Sequence, residues 1–180
     1  MARIGLDLLV QARMPARREP RRPKQATLRR ALSTAYYGLF HFLIEESTSL
    51  LLGGGQRNAA FRQLAARAFV RERMKSVCTE FVKTKPQNVH AVLRSLWIQL
   101  AIANNPQAQL IAQTFIDLQE DRHAADYDLS VSFSRQDALN AVTRADRAVN
   151  ARRQLKKANP DICRLFALAL LLWPSLVARR

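Results

Sequence analysis

Four side chains that can bind phosphate or transfer a proton recur along one stretch of the chain. Arg30, Ser33, Tyr37 and His41 are spaced by three or four residues, so a helix would present them on one face. Arginine binds phosphate through its planar donor groups, and histidine exchanges a proton near neutral pH. A face that is merely solvated would use Lys, Glu or Gln instead. The spacing therefore predicts a site or an interface.

The helix that carries this face needs an apolar side to join a core. The apolar residues at helical spacing are Leu28, Leu32, Ala35, Leu39, Phe42 and Leu43. They predict a helix from about Gln25 to Leu52, which ends at the glycine run 53–55 because glycine permits left-handed turns.

A second group of chemical candidates ends the segment from Gln107 to about Tyr127. Its apolar stripe consists of Ile111, Phe115 and Leu118. Arg122 occupies the next position of that stripe, and Asp126 follows four residues later. Two interpretations stay open for this pair. It is a structural ion pair at a helix end, or it supplies charge to a site.

The net charge is +15, from 29 Lys and Arg against 14 Asp and Glu. Arg binds phosphate well, and binding a polyanion releases counterions, so RNA or another polyanion is the expected partner. The alternative is a basic protein with no nucleic-acid role. The cations that we predict to contact nucleic acid are Arg17, Arg18, Arg21, Arg22 and Lys24, in an extended connector over 15–24, and Arg144, Arg147, Arg152 and Arg153, on a later helix. The connector could equally be a solvated linker.

The remaining pattern is helical, so we predict an all-α protein. Further helices are expected over about 4–14, 58–83, 89–103 and 135–157, with one more apolar helix near the C-terminus. In the 58–83 helix the inward residues are taken to be Phe61, Leu64, Ala65, Ala68 and Phe69. Ser134 and Asp137 predict a capping box at the 135–157 helix, and Asp161 is a candidate cap for the last one. The expected segments are 1–24, 25–158 and 159–180.

Other features bound the class of protein. Cys78 and Cys163 form no CxxC motif, so we expect reduced thiols, no structural metal and no cofactor. The apolar stretch 162–172 contains Arg164 and is too short to predict a membrane span. No secretory signal is recognisable near the N-terminus, and a cytoplasmic location is expected.

Two motifs together resemble the HEPN domain family of prokaryotic helical proteins. Residues 30–41 follow the pattern R-x-x-S-x-x-Y-Y-x-x-F-H, and residues 122–127 follow R-x-x-A-D-Y. The resemblance extends over about 25–157. It implies an up-and-down bundle of four to five helices that dimerises, with a polar cleft at the two-fold axis.

The resemblance also implies two classes of function. Many members of the family are metal-independent endoribonucleases of toxin–antitoxin or antiviral defence systems. Others pair with a nucleotidyltransferase or have lost catalysis and bind RNA or proteins as subunits of larger complexes. Partners implied for this chain are therefore RNA, a second copy in a homodimer, and an antitoxin, a nucleotidyltransferase or a defence-complex protein.

Arg122 matches the arginine of the family's R-x(4–6)-H motif, but the three permitted histidine positions hold Tyr127, Asp128 and Leu129. RNA cleavage without a metal needs two proton-transfer groups and positive charge at the phosphate. The candidate catalytic residues are Arg122, His41, Arg30, Tyr127, Asp126 and Tyr37. The arginines would supply charge and His41 a proton, whereas the tyrosines would need activation. An endoribonuclease and a non-catalytic module both remain open.

Overall fold

The computed structural model describes residues 4–18, of which 15–18 by their backbone alone, and residues 24–178. Within these ranges the protein is helical and contains no strand, which confirms the all-α prediction. Its helices are α1 (Ile4–Arg18), α2 (Gln25–Leu52), α3 (Ala59–Ala66), α4 (Arg71–Phe81), α5 (Ala91–Gln99), α6 (Pro106–Tyr127), α7 (Arg135–Ala158) and α8 (Pro160–Val177).

The chain forms two compact units. One, here called the motif unit, consists of Ala2–Phe42 and Thr114–Val149. The other, the basic unit, contains Leu43–Gln113 and Asn150–Arg180. These units do not follow the predicted segments 1–24, 25–158 and 159–180, because α2, α6 and α7 each contribute residues to both units.

The motif unit is built on the apolar faces of α1, α2, α6 and α7. The inward residues predicted for α2 and α6 are buried, which confirms those faces, and one face of α7 is buried as well; the buried residues include Leu28, Leu32, Leu39, Phe115, Leu118, Ala138, Val142 and Ala145. Glycine lets α1 approach α2 closely, since a Cβ on Gly5 would lie 2.7 Å from the carbonyl oxygen of Gly38. A side chain at Gly5 would therefore push these two helices apart.

The connection between α6 and α7 is fixed by side chains of α2 and by a helix cap. Gln25 donates from Nε2 to the carbonyl oxygen of Phe133 (2.8 Å) and accepts the Phe133 N–H (2.9 Å). Asp137 accepts from the N–H and the hydroxyl of Ser134, both at 2.7 Å. These donors lower the pKa of the Asp137 carboxyl. The predicted capping box is confirmed.

The core of the basic unit contains α4 and α8. Phe81 meets Phe166 edge to face, with ring centroids 4.8 Å apart. Cys78 and Cys163 are free and buried, in agreement with the prediction of reduced thiols, and burial raises the pKa of both. Asn159, not Asp161 as predicted, caps α8 by accepting the Ile162 N–H at 3.3 Å.

Two predicted helix boundaries are wrong. Helix α1 continues beyond Met14 through Pro15 to Arg18, so residues 15–18 are not part of an extended connector. Proline removes one N–H donor but has a φ that a helix accepts. The predicted 58–83 helix is split between Ala66 and Arg71, where Val70 is extended with φ −114° and ψ 134°. No Gly or Pro marks this break in the sequence.

The orientation of α3 also differs from the prediction. Phe61 and Leu64, predicted to be inward, are exposed, whereas Arg62 between them is buried. Part of the apolar pattern of α5 also faces solvent, since Val92 and Leu96 are exposed while Leu93 and Trp97 are buried. Helical spacing identifies a stripe, but it does not say which stripe meets a neighbour.

Helix α8 is long and apolar enough to cross a membrane by length and composition. Eight of its eighteen residues are nevertheless buried, as in a helix that packs within a core. The protein thus has one apolar C-terminal helix among the described residues, and this is weak evidence for a membrane span.

Candidate functional site

Side chains of α2 and of the last turns of α6 meet within the motif unit. We call this group the Arg122 cluster; its members are Ser33, Tyr36, Tyr37, His41, Arg122, Asp126 and Tyr127. The two helix segments run antiparallel, because contacts at the start of α2 are with the end of α6 and later contacts are with earlier residues. This packing brings two motifs separated by about 80 residues together.

The Arg122 guanidinium is the centre of the cluster. Its Nε lies 2.8 Å from Oδ2 of Asp126, and its Cζ lies 5.9, 5.5 and 5.7 Å from the ring centroids of Tyr36, Tyr37 and Tyr127. Burial disfavours its charge, but Tyr37, Asp126 and a hydrogen bond to Tyr127 outweigh this, so the Arg122 pKa is raised. The side chain is still 13% exposed, so part of it remains open to solvent.

Asp126 connects the two helices of the cluster. It forms the ion pair with Arg122 and accepts a hydrogen bond from the Ser33 hydroxyl at 2.5 Å. The predicted pairing of Arg122 and Asp126 four residues apart is therefore confirmed. Because Asp126 has both partners, it serves first to hold Arg122 of α6 in place against α2.

His41 lies beyond Tyr37 from Arg122. The Tyr37 and His41 rings are nearly parallel, with an interplanar angle of 29° and centroids 6.4 Å apart. The Phe40 ring meets His41 edge-on at 5.2 Å. Tyr37 thus contacts both the guanidinium and the imidazole, and all three side chains are only partly exposed.

Comparison of the chain with protein-family models, with curated proteins and with solved structures gives no match. The interpretation of the site accordingly rests on geometry and chemistry.

Two neighbouring arginines of α2 have different positions. Arg30 is exposed one turn before Ser33, and within the described ranges its guanidinium has no hydrogen bond or ion pair. Arg29, which sequence reasoning missed, donates from Nη1 to the carbonyl oxygens of Ala125 (2.8 Å) and Asp128 (3.0 Å). It thereby fixes the end of α6 that carries the cluster. Only its place beside the motif could have drawn attention to it.

The cations predicted to contact nucleic acid are distributed unevenly. Arg21 and Arg22 lie outside the described residues, as do the side chains of Arg17 and Arg18. Lys24, Arg147 and Arg153 are exposed. Arg144 is half-buried and paired with Asp121, with Asp117 at 3.9 Å. Arg147 and Arg144 border a cavity of about 530 Å³ in the motif unit.

The prediction that Arg152 extends the positive surface is wrong. Its side chain is 1% exposed in the basic unit, where Nε lies 3.2 Å from Glu46 and Nη2 donates to the carbonyl oxygen of Cys163 at 3.2 Å. The guanidinium also lies over the Phe166 ring at 5.5 Å. The carboxylate that holds this cation is partly exposed and lies 106 residues away in the chain, so helical periodicity does not predict the pair.

Among the residues that the structure describes, no three His, Cys, Asp or Glu side chains are grouped so that they could hold a metal ion. What the Arg122 cluster offers chemically is a fixed positive charge, aromatic surfaces and one imidazole. These groups can bind a phosphate and stack on a base, and the imidazole can transfer one proton.

Proposed function

We propose that this chain is a HEPN-like RNA-binding protein in which the Arg122 cluster contacts the RNA. The observation that carries the proposal is the partly exposed Arg122 guanidinium, held by Asp126 among three tyrosine rings. A cation that is fixed before binding loses little freedom when it meets a phosphate. The net charge of +15 supports a polyanionic partner.

Aromatic side chains near Arg122 favour unpaired RNA over a duplex. Tyr127 is 66% exposed, and its ring lies 5.1 Å from the exposed His123 ring. Exposed aromatic rings beside a cation can stack on splayed bases while the cation holds the backbone. Single-stranded loops are therefore the substrate class that this surface suits best.

Cleavage of the RNA is the second candidate function, and His41 is the observation that favours it. Its imidazole stacks on Tyr37, which contacts Arg122. The imidazole could accept the 2′-hydroxyl proton while Arg122 stabilises charge on the phosphate. The leaving oxygen would then need a proton from another group, such as Tyr127 or a residue of a second copy.

Binding without cleavage is the better supported of the two functions. The Arg122 charge is already partly neutralised by Asp126, and the three positions that the family's motif permits for its histidine hold Tyr127, Asp128 and Leu129. On this proposal the protein is a homodimeric, cytoplasmic RNA-binding subunit. Its protein partner would be an antitoxin, a nucleotidyltransferase or a defence-complex protein, as the resemblance implies.

Fluorescence anisotropy with a labelled single-stranded RNA tests the binding proposal. We expect Arg122→Gln to weaken binding about tenfold, because one charge-assisted phosphate contact is lost. Arg164→Gln is the matched control: Arg164 is also paired with a nearby aspartate, Asp161 at 2.7 Å, but it lies on α8. Equal affinities of the parent and Arg122→Gln would reject the proposal.

Incubation of the same RNA with purified protein in EDTA separates binding from cleavage. Cutting by the parent protein, abolished in both His41→Ala and Arg122→Ala, would establish the endoribonuclease. Intact RNA that nevertheless binds tightly would establish the non-catalytic module. Circular dichroism of each variant must match that of the parent.

A further inference from the structure

Helix α3 turns two apolar side chains to solvent and a charged side chain to the interior. Phe61 and Leu64 are 64% and 65% exposed, one turn apart on the same face. Arg62, which lies between them in sequence, is 2% exposed. Single exposed apolar residues are common. Here two apolar side chains are exposed while the arginine between them is buried, and this arrangement needs a physical reason.

The orientation of α3 is fixed by polar contacts within the basic unit. Arg62 donates from Nη1 to the carbonyl oxygens of Gly53 (2.6 Å) and Gly55 (2.8 Å). Asn58 donates to the carbonyl oxygen of Leu52 at 2.6 Å. Turning the helix to bury Phe61 would break these hydrogen bonds and move a guanidinium that already has partners. The exposed pair is thus a stable feature of the fold.

Arginines bracket the exposed pair. Arg57, in the short turn before α3, is four residues before Phe61, and Arg67 is three residues after Leu64; both are exposed. Of the 29 Lys and Arg, 16 belong to the basic unit, but only 5 of the 14 Asp and Glu do. An occupant of this surface must therefore accept two apolar side chains and bring negative charge.

A second copy of the chain does not fit this description. Two basic units would repel each other. The exposed surface of the pair, roughly 250 Å² for side chains of this size, is also far below the ~800 Å² per partner of a stable protein interface. An anionic bilayer fits, because its headgroups pair with arginine while its acyl boundary takes up Phe and Leu without requiring a matching groove.

We propose that α3 docks the protein on an anionic membrane surface, with Phe61 and Leu64 inserted below the headgroups and Arg57 and Arg67 on the lipid phosphates. This site lies in the basic unit and is separate from the Arg122 cluster. The attachment is peripheral, since the α3 helix has only eight residues.

Vesicle co-sedimentation of the full chain tests this proposal, with phosphatidylglycerol/phosphatidylcholine vesicles compared with pure phosphatidylcholine. We expect binding to the anionic vesicles, weakened about tenfold or more by the double variant Phe61→Ser/Leu64→Ser. Arg57→Gln/Arg67→Gln should weaken it about tenfold as well. The matched control is Val92→Ser/Ile98→Ser, a second exposed apolar pair of the basic unit, which should bind like the parent.

Several outcomes would overturn the proposal. These are no binding of the parent to anionic vesicles, unchanged binding of Phe61→Ser/Leu64→Ser, or an equal loss in the α5 control. Failure of the parent to bind vesicles, together with retention on an acidic polypeptide through Phe61 and Leu64, would assign the surface to a protein partner instead. RNA affinity of Phe61→Ser/Leu64→Ser should equal that of the parent, so this proposal and the RNA proposal fail independently.

Discussion

Arg122 and Arg152 have similar partners but differ in solvent exposure, and this difference decides which of them could bind a ligand. Each guanidinium is paired with a carboxylate, at 2.8 Å for Arg122 and 3.2 Å for Arg152, and each lies 5.5 Å from an aromatic ring. The Arg152 side chain is almost fully buried, whereas part of Arg122 reaches solvent. Carboxylate pairing and ring contact are therefore features of structural arginines, and access is what separates a candidate binding site from a core ion pair.

The largest effect should come from removing the buried cation. We expect Arg152→Met to lower the free energy of unfolding by about 3 kcal/mol, because Glu46 and the Cys163 carbonyl lose their buried partner. Lys156, whose Nζ lies 2.6 Å from Glu46, still compensates part of the negative charge of Glu46 in this variant. Urea denaturation followed by circular dichroism measures the loss. A change below about 1 kcal/mol would show that the Arg152 environment is not what stabilises this unit.

Removing the partly exposed cation, Arg122, should cost less stability. Arg122→Met is expected to lower the free energy of unfolding by about 1 to 2 kcal/mol, since Asp126 keeps its Ser33 donor and can be rehydrated. The same urea titration measures it. If this variant is as unstable as Arg152→Met, the difference in solvent exposure between the two arginines does not affect the free energy of unfolding.

The Asp137 carboxylate differs from both pairs because it binds the N–H and the hydroxyl of Ser134 instead of an arginine. Asp137→Asn should lower the free energy of unfolding by about 1 kcal/mol at neutral pH, because the charged cap of α7 is lost. The folded-state pKa of Asp137 lies below its ordinary value of 3.8. Its stabilisation is therefore complete above that value and disappears as the pH falls through the folded-state pKa.

Urea titrations of the parent and Asp137→Asn at neutral and acid pH check this. The difference between the two proteins should shrink in acid. A gap that stays constant would mean that the charge of Asp137 does not contribute to the stability of the cap.

The smallest change in stability and in RNA affinity is expected from a substitution at the edge of the Arg122 cluster. The hydrogen bond from Arg122 Nη2 to the Tyr127 hydroxyl is long, at 3.5 Å, and exposed. Tyr127→Phe should change the free energy of unfolding by less than about 0.5 kcal/mol and RNA affinity by less than about twofold, since the ring remains available for stacking. A large loss of affinity would instead assign the hydroxyl group a direct role in binding.

Local features of the fold were predictable from the sequence. The ion pair between Arg122 and Asp126 follows from a spacing of four residues on a helix, and the Ser134/Asp137 cap follows from a spacing of three. The buried faces of α2, α6 and α7 follow from apolar periodicity. In each case the residues that form the pattern lie within a few turns of one helix.

Features that depend on distant partners were not predictable. Burial of Arg152 requires Glu46, and the role of Arg29 requires the chain beyond α6 to lie beside it. Adjacent arginines such as Arg29 and Arg30 differ by about 100° around a helix, so the sequence cannot say which one meets that connection. Similarly, the outward face of α3 is set by Arg62 and the loop carbonyl groups it binds.

The salt dependence of RNA binding tests most directly whether Arg122 contacts the RNA backbone. The logarithm of the association constant should be measured against the logarithm of the salt concentration for the parent, Arg122→Gln and Arg164→Gln. We expect the slope to become shallower by about 1 for Arg122→Gln only, since one phosphate contact is lost. A slope and an affinity for Arg122→Gln that equal those of the parent would contradict it.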